Sequence, residues 1–239
     1  MPMMKLDDAS LAAEDPVGPL DTAFPETPQV KVWTGDFGRE YTDRNTFGSD
    51  AVDSLYMKNY GIARTAINEE FLRDVPKNAS VLEVGCNAGN QLLLLQKMGY
   101  SNLSGIEIQG YALEIVRART RNVCLRQASV QAIPYSDDSF DLVFTSGVLI
   151  HIAPRDLPRA MDEIHRCTRR FIWCTEYYAP DLTEVNYRDH ASLLWKMDYA
   201  KAFLERFDDL ELIRERRLSY LNGTNIDTVF LLQKKHARA

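Results

Sequence analysis

Apolar residues in the middle of this chain fall into short continuous runs, separated by stretches whose apolar positions recur every three or four residues. The first pattern marks buried strands and the second amphipathic helices. Val81–Val84, Leu103–Glu107, Val123–Arg126, Phe140–Ser146 and Phe171–Glu176 read as strands. Helices are predicted over 89–98, 110–120 and 155–167, the last with Leu157, Met161 and Ile164 along one face. Strands alternating with helices imply a parallel sheet covered on both sides. A further helix from about Asp198 to Phe207 precedes two strand-like runs, Glu211–Leu218 and Thr228–Gln233, that can pair as a hairpin. Upstream, Ser49 or Asp50 is placed to cap a helix running to about Asp74, closed by Pro76-Lys-Asn78. Residues 1–30 are acidic, rich in Pro and small residues, and without period, so they read as a disordered tail. Residues 31–75 form an N-terminal lid and helix, and 76–239 the α/β domain, with an insert at 177–197.

The junction of the first strand and its helix carries the chemistry. Val81-Leu-Glu-Val-Gly-Cys-Asn-Ala-Gly-Asn90 runs from a buried strand through an acidic-x-Gly turn into a helix. That unit brings backbone N–H groups and a helix N-terminus up to a ligand. Glu107 ends the next strand, where a carboxylate can accept both hydroxyls of a ribose. A dinucleotide-binding turn needs a close-approach glycine where Asn87 stands, and no Gly-Lys-Ser/Thr follows, so a phosphate-cradling loop is excluded. What remains is a site for a nucleoside-bearing cofactor without a pyrophosphate.

These residues resemble motif I of the class I S-adenosylmethionine-dependent methyltransferases, with hydrophobic, acidic, x, Gly, x, x, x, Gly spacing at Glu83, Gly85 and Gly89. Ser129-Val130 falls where that superfamily lines its adenine pocket, with Ser129 where Asp is frequent, and Asp137-Asp-Ser-Phe-Asp-Leu-Val-Phe144 reads as the turn and fourth strand. The resemblance implies a Rossmann-like fold with a mostly parallel seven-stranded sheet, helices on both faces and a C-terminal antiparallel hairpin. It implies S-adenosyl-L-methionine as cofactor, held by Glu83, Gly85, Cys86, Asn87, Gly89, Asn90, Glu107, Ile108, Ser129, Val130, Ser146 and Gly147. Trp33-Thr-Gly-Asp-Phe-Gly-Arg-Glu-Tyr-Thr-Asp-Arg-Asn45, Gly147-Val-Leu-Ile-His-Ile-Ala-Pro154, Glu176-Tyr-Tyr-Ala-Pro180 and Tyr187-Arg-Asp-His190 are similar to a smaller group, the pseudaminic acid biosynthesis-associated methylases. The smaller group also shares Cys167-Thr-Arg-Arg170, where many methyltransferases have a Pro-Gly-Gly turn. This second likeness implies O-methylation of a nonulosonic acid or related acidic sugar; the alternatives are a methyltransferase for another small acceptor (carboxylate, phosphonate or amine) and a non-catalytic cofactor-binding protein.

Charge and cysteine usage narrow the picture. Net charge is −6, from 28 Lys and Arg against 34 Asp and Glu, which disfavours a nucleic-acid substrate. Arg166, Arg169 and Arg170, and Arg214, Arg216 and Arg217, read as solvated faces rather than a phosphate track. Cys86, Cys124, Cys167 and Cys174 lack metal spacing, so no metal is expected and the thiols read as reduced and mostly buried. No stretch has signal-peptide or membrane-spanning character, and the expectation is a cytoplasmic protein.

For the acceptor, Arg188 can bind a carboxylate through its planar fork, with Lys196 as second cation, while Tyr177, Tyr178 and Tyr187 offer ring faces and hydroxyls to a sugar. The competing role for Arg188 is a salt bridge to Asp189 or Glu184 that orders the insert. His151, after the fourth strand, and His190, on the insert, are the candidate bases, with an orienting role open for His151. His165 reads as helix surface and His236 as tail. Phe37 and Tyr41, four apart, would share a helical face toward the ligand, and Arg44 would meet a carboxylate of cofactor or substrate.

Overall fold

The computed structural model of the chain describes residues 26–235. In chain order the elements are α1 (Pro28–Thr34), α2 (Asp36–Arg44), α3 (Ser49–Tyr60), α4 (Arg64–Leu72), β1 (Ser80–Val84), α5 (Asn90–Lys97), β2 (Asn102–Glu107), α6 (Gly110–Arg119), β3 (Val123–Gln127) and β4 (Phe140–Ser146). They continue with a 3-10 turn at Leu149–His151, α7 (Leu157–Cys167), β5 (Thr168–Tyr177), β6 (Thr183–Tyr187), β7 (His190–Lys196), α8 (Tyr199–Arg206), β8 (Leu210–Ser219) and β9 (Ile226–Lys234). Seven strands form one sheet in the order β3-β2-β1-β4-β5-β9-β8. β1 to β5 run parallel, and β9 is antiparallel to both β5 and β8. This is the Rossmann-like methyltransferase fold, with its terminal hairpin built into the sheet edge.

The pleat sorts the sheet residues into two cores. Leu82, Val84, Val143 and Ile172 pack under α7 and α8 with Met161, Ile164 and Phe203. Val81, Leu142, Phe144 and Trp173 pack on the other face with Ile67 and Phe71 of α4 and Leu92 and Leu95 of α5. Leu157, Met161 and Ile164 are all buried, as their shared helical face requires. Each large apolar side chain taken out of water contributes about 1.5–3 kcal/mol, so the central strands tolerate few polar residues. Glu83, 3% exposed one residue before the end of β1, is therefore an exception that calls for a reason.

Several boundaries differ from the sequence expectation. The helix expected from residue 49 or 50 to 74 is two helices, because Gly61 adopts φ +73, a left-handed conformation that ends α3. Neither Ser49 nor Asp50 caps it; Gly48 occupies the cap position without a side-chain bond. α7 begins at Leu157 rather than Arg155, with Pro158 in its first turn. β5 is longer at both ends than expected, since the chain passes from α7 directly into the strand and Thr168 already pairs with Phe140. Within the insert, β6 and β7 form a separate antiparallel hairpin. The tail expectation falls on residues 1–25, outside those described, except that residues 28–30 already belong to α1.

Candidate functional site

β1 is flanked by β2 on one side and β4 on the other, so the chain leaves its carboxyl end where the connections diverge. Crevices in open α/β sheets form at that point. A cavity of about 270 Å³ opens there. Its floor is the turn after β1. Gly85 holds φ +70, and a Cβ there would come within 2.6 Å of Val148, so only glycine lets the turn lie against the loop after β4. Cys86, Asn87 and Asn90 line the same floor.

Glu107 closes one wall. It is 9% exposed, its Oε2 accepts from the Asn87 backbone N–H at 2.9 Å, and its Oε1 accepts from that of Gln109 at 2.9 Å. Burial pushes its carboxyl up, while the N–H groups of Gln109 and Asn87 pull it back toward the ionised form. Ile108, Ser129 and Val130 continue that wall, and Ser146 and Gly147 form the side toward β4. At the deep end Glu83 has its carboxyl raised well above normal by burial, partly offset by Arg64, and its Oε2 has no protein partner.

α1 and α2 roof the cavity. Gln109 Nε2 donates to the carbonyls of Trp33, Thr34 and Gly35 at 3.0–3.3 Å, which ties the α1–α2 junction to the end of β2. Thr42 Oγ1 donates to Asn87 Oδ1 at 2.7 Å, tying α2 to the glycine turn. The helices approach so closely that a Cβ on Gly38 would lie 1.9 Å from the Trp33 carbonyl oxygen. Gly38→Ala is therefore expected to force α1 and α2 apart without touching the sheet. Calorimetric titration with S-adenosylhomocysteine should show weaker binding while the thermal unfolding midpoint stays near wild type; unchanged affinity would remove α1–α2 from the site.

His151 lies under this roof, its ring 4.5 Å from that of Trp33 and 5.3 Å from that of Tyr187. Its Nδ1 donates to the Leu193 carbonyl at 2.7 Å, since a carbonyl only accepts, which leaves the lone pair on Nε2. Burial lowers its pKa to about 4, so at neutral pH it is an uncharged acceptor and a weak base. Glu176, pushed up by burial to about 7, accepts from the Thr145 hydroxyl and from the backbone N–H groups of Val148 and Ile150. It thereby fixes the loop that carries Gly147 and His151.

Several expected residues stand elsewhere. Gly89 caps α5 and packs beneath Val116 rather than lining the cavity, because α6 crosses there. Tyr41 lines the cavity, but Phe37 does not: one turn earlier, it packs edge-on against Tyr187 and His190 of the insert hairpin. Arg44 points to solvent and pairs with Glu40 at 3.3 Å. His190 is exposed and outside the main cavity. Tyr177, Tyr178, Tyr187, Arg188 and Lys196 do not line it either. Tyr178 lies under the Arg217 guanidinium, and Lys196 donates to Asn225. Arg188 is exposed at the hairpin turn with φ +51, and neither Asp189 nor Glu184 pairs with it; Glu184 instead accepts from Ser192. Its charge does reach the Tyr41 hydroxyl, whose pKa is raised by burial, by Tyr187 and Tyr177 and by Glu107, with Arg188 opposing. His165 is half-buried, stacked on Phe207 and bonded to Asp209, not free surface. Arg166 pairs with Glu163 and Asp137, Arg169 with Asp141, and Arg214, Arg216 and Arg217 with Asp74, Glu70 and Asp198. No disulfide joins the cysteines, and among the described residues no helix is long and apolar enough to cross a membrane.

Sequence reasoning missed Gln109, Trp33, Tyr56 and Gln91, which all line the cavity. Gln109 follows the acidic residue ending β2 by two positions, and that adjacency was the one available signal.

Residues 82–171 match the methyltransferase domain family (Methyltransf_11). The chain is 31% identical over 102 residues to the methyltransferase GfsG of Streptomyces halstedii, covering 40% of this chain and 36% of that protein. It is 30% identical over 129 residues to an uncharacterized methyltransferase-like protein of Schizosaccharomyces pombe, covering 53% of this chain and 48% of the relative. The chain thus spans less than half the length of the curated relatives it matches. Among solved structures it is similar to the 1,6-didemethyltoxoflavin-N1-methyltransferase of Burkholderia thailandensis, with 1,6-didemethyltoxoflavin and S-adenosylhomocysteine bound. The TM-score is 0.66 at 16% identity, covering 89% of this chain and 92% of that one.

Proposed function

We propose that this chain is an S-adenosylmethionine-dependent methyltransferase acting on a small acidic acceptor, with O-methylation of a nonulosonic acid or related sugar as the specific reading. The observation that carries it is the buried Glu107 carboxylate, held by two backbone N–H groups at the wall of a cavity whose floor is the Gly85 turn. Each carboxylate oxygen keeps a lone pair for a hydroxyl donor, which fits a ribose. Glu83 Oε2 and Trp33 Nε1, both buried without a protein partner, are further polar atoms for a ligand to satisfy. When bound, S-adenosylmethionine supplies a methyl group on a sulfonium whose leaving group departs neutral.

Residues 31–75 then act as the lid and 76–239 as the catalytic body. Gly85, Cys86 and Asn87 present main chain to the cofactor, Ser129 and Val130 flank its adenine, and Trp33 and Tyr41 exclude water from above. Alignment of donor and acceptor in such a cleft is worth roughly 7–11 kcal/mol. His151 orients the acceptor through Nε2 and, with its pKa near 4, does not take the proton at neutral pH. The insert, residues 177–197, faces the acceptor, and Arg188 takes its carboxylate.

Arg188→Ala is expected to raise KM for N-acetylneuraminic acid by about 10–100-fold, the loss of one charge-assisted contact of roughly 1.5–3 kcal/mol, and to leave S-adenosylhomocysteine affinity unchanged. Arg188→Lys keeps the charge without the fork and should fall between. A protein that methylates only neutral acceptors contradicts the acidic-sugar reading. A second reading, esterification of the acceptor's carboxylate, draws on the weak basicity of His151, because a carboxylate needs no base. It predicts a rate independent of pH between about 6 and 8.

A further inference from the structure

We propose that Arg119 is a positioning residue for the methyl donor: it fixes the end of the cavity that receives the amino-acid portion of S-adenosylmethionine and favours the carboxylate carried there. The inference rests on the methyltransferase reading and adds a residue that stands outside the cavity wall. The sheet order β3-β2-β1 sets Ser129 and Val130, Glu107 and the Gly85 turn side by side. A donor with its adenine at the first and its ribose at the second lays its third part over the turn that leads into α5. Asn45, Phe47, Asn90 and Gln91 line the cavity there.

Asn90 opens α5, and its side chain ties the segment leaving the roof to the glycine turn. Its Nδ2 donates to the Asn45 carbonyl at 2.7 Å, and its Oδ1 accepts from the Phe47 N–H at 3.1 Å. Arg119, in the last turn of α6, reaches the same point. Its Nη1 donates to Asn90 Oδ1 at 3.1 Å and to the Ala88 carbonyl, and its Nη2 donates to the Phe47 carbonyl. One guanidinium thus joins the glycine turn, the first residue of α5 and the connection from α2 to α3. Phe47 is held at both its N–H and its carbonyl.

The charge of this clasp is as informative as its bonds. Arg119 is half-buried, and among the described residues its acceptors are two carbonyls and one amide, with no carboxylate. Arg166, Arg169, Arg214, Arg216 and Arg217 each pair instead with an acidic side chain. A guanidinium satisfied by neutral groups alone keeps its full positive charge next to the cavity end. Taking that charge out of water is costly, as the downward push of burial on its pKa shows, and a neighbouring anion offsets the cost.

The donor brings such an anion, the carboxylate of its amino-acid portion. Arg119 does not line the cavity, so it acts on that carboxylate through the Asn90 amide and the Phe47 main chain that it holds, and through its field. The clasp also sits where α2 passes into α3, so it sets the point about which the α1–α2 roof is anchored to the floor.

The test is calorimetric titration of the full chain with three ligands. They are S-adenosylhomocysteine, its decarboxylated analogue, which keeps the amine, and 5′-methylthioadenosine, which lacks the amino-acid portion. The wild-type protein is expected to bind S-adenosylhomocysteine at least about tenfold more tightly than the decarboxylated analogue, the loss of contacts to a charged group. In Arg119→Met that ratio should fall to about threefold or less, with 5′-methylthioadenosine affinity within about twofold of wild type. Arg119→Lys keeps the charge without the fork and should give an intermediate ratio. A clasp that only supports the fold would weaken all three ligands by one factor and leave the ratio unchanged, which overturns the proposal. Equal wild-type affinity for S-adenosylhomocysteine and its decarboxylated analogue overturns it without any variant and leaves the methyltransferase reading standing. Failure of the wild-type protein to bind any of the three overturns both.

Discussion

Glu107→Ala is expected to weaken S-adenosylhomocysteine binding by at least about 150-fold, the equivalent of roughly 3 kcal/mol for two hydrogen bonds to a charged acceptor. The carboxylate is buried and fixed by the Asn87 and Gln109 N–H groups, so a ribose meets it with no further ordering of the side chain. The same substitution leaves those two N–H groups without their acceptor, and Gln109 also anchors the α1–α2 junction, so the roof should loosen as well. Glu107→Gln is not a gentle control: its amide NH₂ must face one of the two backbone donors. Calorimetric titration of the folded variant decides the point, and wild-type affinity in Glu107→Ala refutes the ribose role.

The largest effect on stability is expected at Arg64. This side chain is fully buried, with Nε donating to Asn68 Oδ1 at 2.9 Å and Nη1 to the Tyr56 hydroxyl. Its guanidinium lies 5.2 Å from the Trp173 ring centroid and opposes the raised pKa values of Glu83 and Asp227. Arg64→Met fills a similar volume but removes the cation that acts on both buried carboxyls. Removing one partner from a buried charged network costs about 3–5 kcal/mol. For a chain of this size that lowers the unfolding midpoint by roughly 6–20 °C. The sign with pH follows from the carboxyls. Groups whose folded pKa is raised bind protons more readily in the folded state, so the loss should be smaller near pH 5 than at pH 8. A scan showing no loss at pH 8 would mean that Glu83 and Asp227 do not depend on Arg64.

The parallel sheet was legible because its strands are buried on both faces and their runs are uninterrupted. Phe140–Ser146 falls at the expected residues, and the terminal pair forms the expected hairpin. The β6–β7 hairpin was hidden for the opposite reason: Thr183–Tyr187 is mostly exposed and carries no apolar run. Gly61 was missed inside a periodic stretch, where a single glycine marks a break only if it adopts positive φ. In the site, Glu107 and Gly85 announce themselves by their place at strand ends. Arg64, Trp33 and Gln109 do not, because what defines them is a partner far along the chain, as with Arg64 over Trp173. Phe37 was misplaced by a face argument, which fixes which residues of a helix look the same way but not where that face is aimed.

Phe37 touches the insert hairpin at Tyr187 and His190 while its own helix is pinned to the glycine turn through Thr42. In the proposed reading, the cover of the donor compartment and the wall of the acceptor compartment would be one aromatic seam. On that reading, whatever steadies α2 would also steady the hairpin, and the two ligands would share a coupling free energy without touching. Such coupling is reciprocal: the factor by which donor would raise acceptor affinity is the factor by which acceptor would raise donor affinity.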